Sequence, residues 1–361
     1  MFDLDATESI TRRWTAELPL DAQPWSIGLI VGPSGSGKST LLSECFDIET
    51  TERQWAPDAA VVDGFPEHMS IVEVCALLGS VGFSSPPAWL RPYRTLSNGE
   101  RFRVDVARAL ADDAEVTLLD EFTSVVDRTV AQIASAAIAK HIRKTDRKLV
   151  AASCHYDIID WLGPDWIYDT GSDTFTWRSL HPRPPIILEL ARCSRSWWSL
   201  FHHHHYLSDN LSRSCDCFVG FVGERPAVFV AVGVVPSTKG YAIRREHRTV
   251  CLPDFQGVGI GNATADLVAS IYRGVGKRYR STTSHPAMIA HRARSSAWLM
   301  DRKPSFVAPP SATSKTAAVS MRRLTASFEY VGPKAPAEQT QLLDVRQADI
   351  ERGLIAGAGQ H

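Results

Sequence analysis

Gly32-Pro33-Ser34-Gly35-Ser36-Gly37-Lys38-Ser39-Thr40 decides how the first half of this chain is read. It fits G-x-x-x-x-G-K-[ST], and its surroundings fit too. The apolar run Ile27–Val31 before it has the length of a buried strand, and Lys38–Phe46 after it begins a helical pattern. Gly32, Gly35 and Gly37 allow the backbone N–H groups to turn inward and ring a phosphate, and the helix N-terminus adds positive potential. Lys38 is placed to reach the outer phosphates. The Ser39 hydroxyl is a ligand for Mg²⁺, and Ser34 and Thr40 complete the phosphate-contacting set.

Downstream, Val116–Leu119 is an apolar strand that runs into Asp120-Glu121. Behind a phosphate-binding loop, Asp120 is expected to hold Mg²⁺ through water. Glu121, one residue on, is expected to polarise the attacking water. Further short apolar runs alternate with helical patterns up to residue 178. That alternation predicts an α/β fold with a mostly parallel sheet.

Between these two motifs lies Leu96-Ser97-Asn98-Gly99-Glu100, followed by a helical pattern over 101–110. The pentad resembles the L-S-G-G-[QE] signature of ATP-binding cassette (ABC) ATPases, with Asn98 in place of the first glycine. Ser124-Val125-Val126-Asp127 looks like that family's D-loop, and His155 like its switch histidine. The resemblance covers residues 1–178. It implies bound ATP and Mg²⁺, with Ser97 and Gly99 donating to a γ-phosphate held by a second subunit, and hence a homodimer closed through the ATP sites. Two departures from the family pattern stand out. Only 58 residues separate Lys38 from Ser97, which is short for a transporter cassette. The Q-loop glutamine is not evident, and after an expected strand at 59–62 its place is held by Asp63. Trp14 is a candidate for stacking on adenine, with core packing an equal reading.

The prolines of His181-Pro182-Arg183-Pro184-Pro185 can continue neither a helix nor a central strand, so a linker is placed at 181–185. Beyond it, 218–222 and 227–235 read as a hairpin around Gly223-Glu224-Arg225-Pro226, and 247–252 as a further strand. Then comes Gln256-Gly257-Val258-Gly259-Ile260-Gly261, with a helix from about Asn262. This run fits [QR]-x-x-G-x-[GA] and resembles the pyrophosphate loop of GNAT-type N-acyltransferases. The resemblance covers 186–332 and implies an α+β mixed sheet that binds acetyl-CoA or another acyl-CoA at Gln256, Gly257, Gly259 and Gly261. No tyrosine stands in 292–300, where that family often keeps its general acid. His285 is the candidate instead, against a structural role. His202-His203-His204-His205-Tyr206 allows a metal site, an acceptor-binding helix with Trp197, Trp198 and Phe201, or core packing. Residues 303–320 read as a loop, and 333–361 as a tail with little apolar periodicity and an expectation of partial disorder.

Composition sets the frame for both halves. The chain has 361 residues, 44% hydrophobic, enough for two cores. No apolar run approaches the length of a membrane span. Residues 1–11 carry acidic side chains and no basic one, unlike a secretory signal. Seven cysteines, an odd and scattered set, suit a reducing, cytoplasmic setting. The formal charge of −1 conceals a balance of −11 over 1–180, with 16 Lys/Arg against 27 Asp/Glu, and +10 over 181–361. The basic half is expected to face a polyanion such as a nucleic acid. Together these readings predict an ATPase coupled to acyl transfer onto nucleic acid. The alternatives are the ATP-binding subunit of an ABC transporter, or an ATP-gated nucleic-acid clamp whose GNAT half is inactive.

Overall fold

The computed structural model describes residues 16–46, 54–178, 183–205, 210–235, 243–306, 324–345, 350 and 355–356. Trp14, Tyr206 and residues 181–182 of the linker lie outside them. In the first half, β1 (Ile27–Val31) leads into α1 (Lys38–Phe46). Then come α2 (Ile71–Ser80), α3 (Pro86–Trp89), α4 (Asn98–Leu110), β2 (Val116–Leu119), α5 (Arg128–Ile142), β3 (Lys148–Ser153) and α6 (Ile158–Leu162). The hairpin β4 (Trp166–Asp169) and β5 (Thr174–Trp177) closes the half. The strand order is β2-β3-β1-β4-β5, parallel except for the last pair.

Every residue of β1 is buried, because both sheet faces are covered. On one face Ile27, Leu29 and Val31 pack with Phe102, Val106, Ala134 and Ile138 of α4 and α5. On the other, Ile30 packs with Leu41 and Leu42 of α1 and with Trp166. Three helices begin with well-formed caps, α2 with a Ser70–Glu73 capping box. Ser97 and Glu100 form a capping box on α4, and the Asp127 carboxylate accepts from Thr129 N and Val130 N at the start of α5. Each such cap contributes about 1 kcal/mol. The strand expected at 59–62 does not form. Val61–Gly64 is a single 3₁₀ turn joined to the rest by one bridge from Ala60 to Pro92. Asp63-Gly64 breaks an apolar run already too short for a ladder.

The second half is a single sheet of mixed direction. It comprises β6 (Glu189–Cys193), the short helix α7 (Trp198–Phe201), β7 (Asp216–Val222), β8 (Arg225–Val235) and β9 (Ile243–Cys251). These are followed by α8 (Ile260–Gly274), β10 (Arg278–Thr283), α9 (Pro286–Arg294), β11 (Trp298–Phe306), β12 (Leu324–Tyr330), α10 (Ala337–Thr340) and β13 (Ile355–Ala356). The order is β11-β12-β10-β9-β8-β7-β6-β13. All pairs are antiparallel except β9 with β10, which are joined through α8 as a parallel crossover needs. That pair registers only at Ile243–Arg278, Arg244–Tyr279 and Arg245–Arg280, and beyond those positions the strands part.

One expectation needs correction here, and the described part of the tail adds to the fold. The segment taken as a loop from 303 is strand as far as Phe306. Pro304 is tolerated because β11 is an edge strand with irregular register around Arg302 and Ser305. Residues 307–323 lie outside the described set. The tail is partly folded. Ala335 N donates to Ser270 O of α8 at 3.0 Å, Leu342 and Leu343 pack on the second core, and β13 extends the sheet beside β6. Such short apolar pairs carry no periodicity for a sequence reading to find.

The two halves touch closely. Ile133 of α5 belongs to the core formed by Phe255, Ile260 and Val268. A Cβ on Gly257 would lie 2.6 Å from Gly82 Cα, so the two backbones meet where no side chain fits.

Candidate functional site

β2, β3 and β1 are neighbours in the sheet and run in one direction. Their carboxyl ends therefore lie side by side, the usual place for a ligand in an open α/β sheet. This edge gathers the glycine-rich loop after β1, Asp120-Glu121 after β2 and His155 after β3.

In the loop, Gly35 and Gly37 adopt φ of 75° and 89°, conformations that favour glycine, and a Cβ on Gly35 would meet nothing within 4 Å. Ser34, Ser39 and Thr40 are exposed. The Lys38 ammonium donates to Gly32 O at 3.0 Å and Pro33 O at 2.7 Å, so it is held over its own loop by two carbonyls. A bound phosphate would compete for that charge. Ser36 Oγ lies 2.6 Å from Thr170 Oγ1, just past the end of β4. Thr170 was not singled out in the sequence. Its only signal is its position one residue after an apolar strand.

Asp120 Oδ1 accepts from Glu121 N at 2.8 Å. Glu121 is exposed and has φ of 45°, rare for a non-glycine residue. Such strain is typical of functional turns and persists only when neighbours hold it. His155 is half-buried, and its backbone N donates to Ser153 Oγ at 3.2 Å. Ser97 and Asn98 are exposed at the start of α4, whereas Gly99 is buried. A Cβ there would lie 3.1 Å from Asp254 Oδ1 of the second half. Asp63 is exposed on its 3₁₀ turn.

The second glycine-rich turn divides in two. Gln256 is engaged: its Oε1 accepts from Ser84 N, and its Nε2 donates to Cys251 O, both at 2.8 Å. Gly257 meets Gly82. Both residues therefore bind the first half of the chain. Gly259, with φ of 98°, has open space where a Cβ would sit, and Gly261 lies in the first turn of α8. These two face a cavity of about 370 Å³ that runs along the parted edges of β9 and β10. His204, His205 and His285 line it, together with Lys140 reaching over from α5. Burial pushes the His285 imidazole below its ordinary value. It also lowers His247, on β9, to about 4, with Arg248 and Arg245 adding repulsion. Glu246 beside it is buried and paired with Arg292 at 2.8 Å. Glu246 and His247 were not picked out in the sequence, because a charged run in a strand reads as a solvated face.

The histidine run does not gather round one point. Trp198 and Phe201 are buried in a core with Phe229, and His202–His204 form a 3₁₀ turn. Among the described residues no group of three metal-ligating side chains comes together.

No family model matches the chain. It is 32% identical over 139 residues to YjkB of Bacillus subtilis, named as an ABC transporter ATP-binding protein; the match covers 30% of this chain and 56% of the relative. It is 30% identical over 162 residues to the zinc import ATP-binding protein ZnuC of Cereibacter sphaeroides, covering 39% of this chain and 65% of the relative. The chain thus spans less than two thirds of either relative's length. Among solved structures, the dimeric bacterial ABC transporter cassette MJ0796 aligns with 43% of this chain and 86% of its own, at 16% identity and a TM-score of 0.36. Over the first half, the chain is thus similar in sequence to proteins named as ABC-type ATP-binding proteins. Both relatives are named for ATP binding and neither for acyl transfer. They favour the transporter-type ATP-binding alternative over an ATPase coupled to an acyltransferase.

Proposed function

We propose that this chain is an ATP-hydrolysing subunit of the ABC type that closes as a homodimer around two molecules of ATP·Mg²⁺. The observation that carries this is the meeting of the open glycine loop, Asp120-Glu121 and His155 at one edge of three adjacent parallel strands. Backbone N–H groups of residues 34–40 and the Lys38 ammonium bind the phosphates. Ser39 and Asp120 fit Mg²⁺ by the chemistry of their oxygen donors. The metal supplies charge neutralisation on the phosphates, and Glu121 orients the attacking water. His155 lies on the same edge, placed to meet the outer phosphate. Ser97, exposed at the N-terminus of α4, faces the nucleotide of a second copy.

No helix among the described residues is long and apolar enough to cross a membrane. All seven cysteines are free thiols, which suits the cytoplasm. Calorimetry with ATP·Mg²⁺ tests the binding site. Lys38→Ala should bind about 100-fold more weakly, the worth of charged hydrogen bonds totalling about 3 kcal/mol. Equal affinity would remove Lys38 from the site.

A second reading concerns the other half, and the open Gly259 turn beside the parted strands favours it. There the backbone N–H groups of 259–261 at the start of α8 suit a pyrophosphate, and the unpaired strand edges suit an extended amide chain. An acyl-CoA has both features. His285 is the candidate proton carrier, and the basic surface would receive a nucleic-acid acceptor. Titration with acetyl-CoA tests it. Gly259→Val should abolish binding while ATP binding persists, and no heat from the unmutated protein would end the acyl-CoA reading.

A further inference from the structure

The seam between the halves meets the cassette at a sensitive place. Arg225 opens β8 directly after the turn Gly223-Glu224, and its guanidinium lies over the Phe255 ring, 5.4 Å from its centroid. One arm, Nη1, donates to Asp127 Oδ1 at 2.8 Å; the other, Nη2, donates to Asp254 Oδ2 at 3.1 Å. Asp254 is in turn fixed from the cassette. Its carbonyl oxygen accepts at 2.7 Å from Nη2 of Arg103, a fully buried residue of the signature helix α4. Arg225 is therefore clamped at the seam and holds Asp127.

Asp127 is one end of a short, tightly wound turn whose other end is Glu121. Glu121 and Thr123 both have left-handed φ, 45° and 67°. Ser124 N donates to Glu121 O at 2.9 Å, and Val126 N to Thr123 O at 3.4 Å. Two strained residues in seven cost on the order of 1–3 kcal/mol each and must be held by their surroundings. Phe122, buried beneath the turn, holds its middle, and Asp127 anchors its far end to α5. The Arg225 ion pairs are partly exposed, so they add little stability. Their effect is on geometry.

We propose that Arg225 is a positioning residue for ATP hydrolysis. Supplied by the second half, it fixes the Asp127 end of the turn and so the aim of Glu121. This inference rests on the ATPase reading given above. It adds that the second half serves the cassette's chemistry as well as any ligand of its own.

The test uses the full chain, with Arg225→Ala, Arg225→Lys and Asp127→Asn, and with Arg225→Ala in the Asp127→Asn background. Asparagine keeps the helix-capping oxygen and removes the charge. Arg225→Ala should lower kcat about tenfold, the scale of a small misplacement of a reacting group, with KM for ATP within about twofold. Arg225→Lys should recover part of the loss. In the Asp127→Asn background, where Oδ1 still accepts from Arg225 but the ion pair is lost, the Arg225→Ala effect should be smaller than in the parent, as for coupled residues in a double-mutant cycle. An unchanged kcat, or the same loss in both backgrounds, would overturn the proposal. Hydrogen exchange, read without nucleotide, keeps the test independent of hydrolysis. Amides at 122–126 should exchange faster in Arg225→Ala than in the unmutated chain, and equal rates would refute the positioning role even if the protein hydrolyses no ATP. Absence of ATPase activity in the unmutated chain, with faster exchange in the variant, would overturn the ATPase reading and leave the contact standing.

Discussion

The chain carries two glycine-rich turns, each between a strand and the N-terminus of a helix, and they are used differently. The turn at 32–40 packs against Thr170 at Gly32 but is open at Gly35, where a Cβ would meet nothing within 4 Å, with the Lys38 ammonium folded onto its own carbonyls. The turn at 256–261 is half closed. Gln256 and Gly257 are fastened to Ser84 and Gly82 of the cassette, and only Gly259 onward faces a cavity. The same residue type thus meets two physical needs. In the first turn glycine leaves room for a ligand, and at Gly257 it leaves room for another piece of backbone. A glycine motif specifies close approach, and the approaching group has to be found elsewhere.

The sharpest break between the two turns is chemical. Glu121→Gln keeps the shape of the first site but removes the carboxylate, so steady-state hydrolysis should fall about 1000-fold, within the range for losing a general base. Phosphate-release kinetics check this. Hydrolysis at the unmutated rate would take Glu121 out of the role.

The second contrast is structural and lies within the second turn. Valine at 257 or 259 must adopt a left-handed φ in either case. At 257 its Cβ would also lie 2.6 Å from Gly82 Cα and 2.9 Å from Ala137 Cβ, while at 259 it meets nothing within 4 Å. Urea unfolding should therefore show Gly257→Val destabilised by about 4 kcal/mol and Gly259→Val by about 2 kcal/mol. Equal losses would mean that the seam at Gly82 does not constrain the turn.

A smaller effect concerns pH and is shared by both halves, since burial also lowers His141 of α5. Burial pushes the His247 imidazole down to about 4, with Arg248 and Arg245 contributing. The unfolded chain then takes up a proton at a higher pH than the folded one. This contribution to stability is complete above the ordinary histidine value of about 6.5 and is lost as pH falls from there towards 4. Burial lowers His204 and His285 in the same direction. Thermal melts of His247→Gln should show a shallower loss over that window, and an unaltered slope would place the titration elsewhere.

The first glycine loop was legible in the sequence because its signals are local. A strand, a loop of fixed spacing and a helix sit within twenty residues. The seam was not legible. Ser84 and Gln256 are 172 positions apart, and nothing in either neighbourhood announces the other. Asp254 stands two residues before the quoted glycine run and Arg225 in the quoted hairpin turn. Their joint hold on Asp127 and α4 appears only when the two halves are packed. The charge balance of −11 and +10 hinted at two outside partners, yet the Arg225–Asp127 pair joins one half to the other. The strand expected at 59–62 fails for a local reason: Val61–Gly64 turns as a 3₁₀ helix and leaves Asp63 in solvent.

The central claim is that one glycine loop and the exposed Ser97 at the start of α4, carried on the same chain, complete each other only across two copies. Light scattering on Glu121→Gln tests it most directly, because slowed hydrolysis holds the nucleotide between the subunits and bound ligand stabilises the dimer by mass action. Without nucleotide the mass should be that of one chain, 39.8 kDa, and with ATP·Mg²⁺ it should double. Ser97→Arg, which places a long cation against the partner's γ-phosphate, should block the doubling. A mass of one chain in both conditions would contradict the homodimer and require a different cassette protein to complete the site.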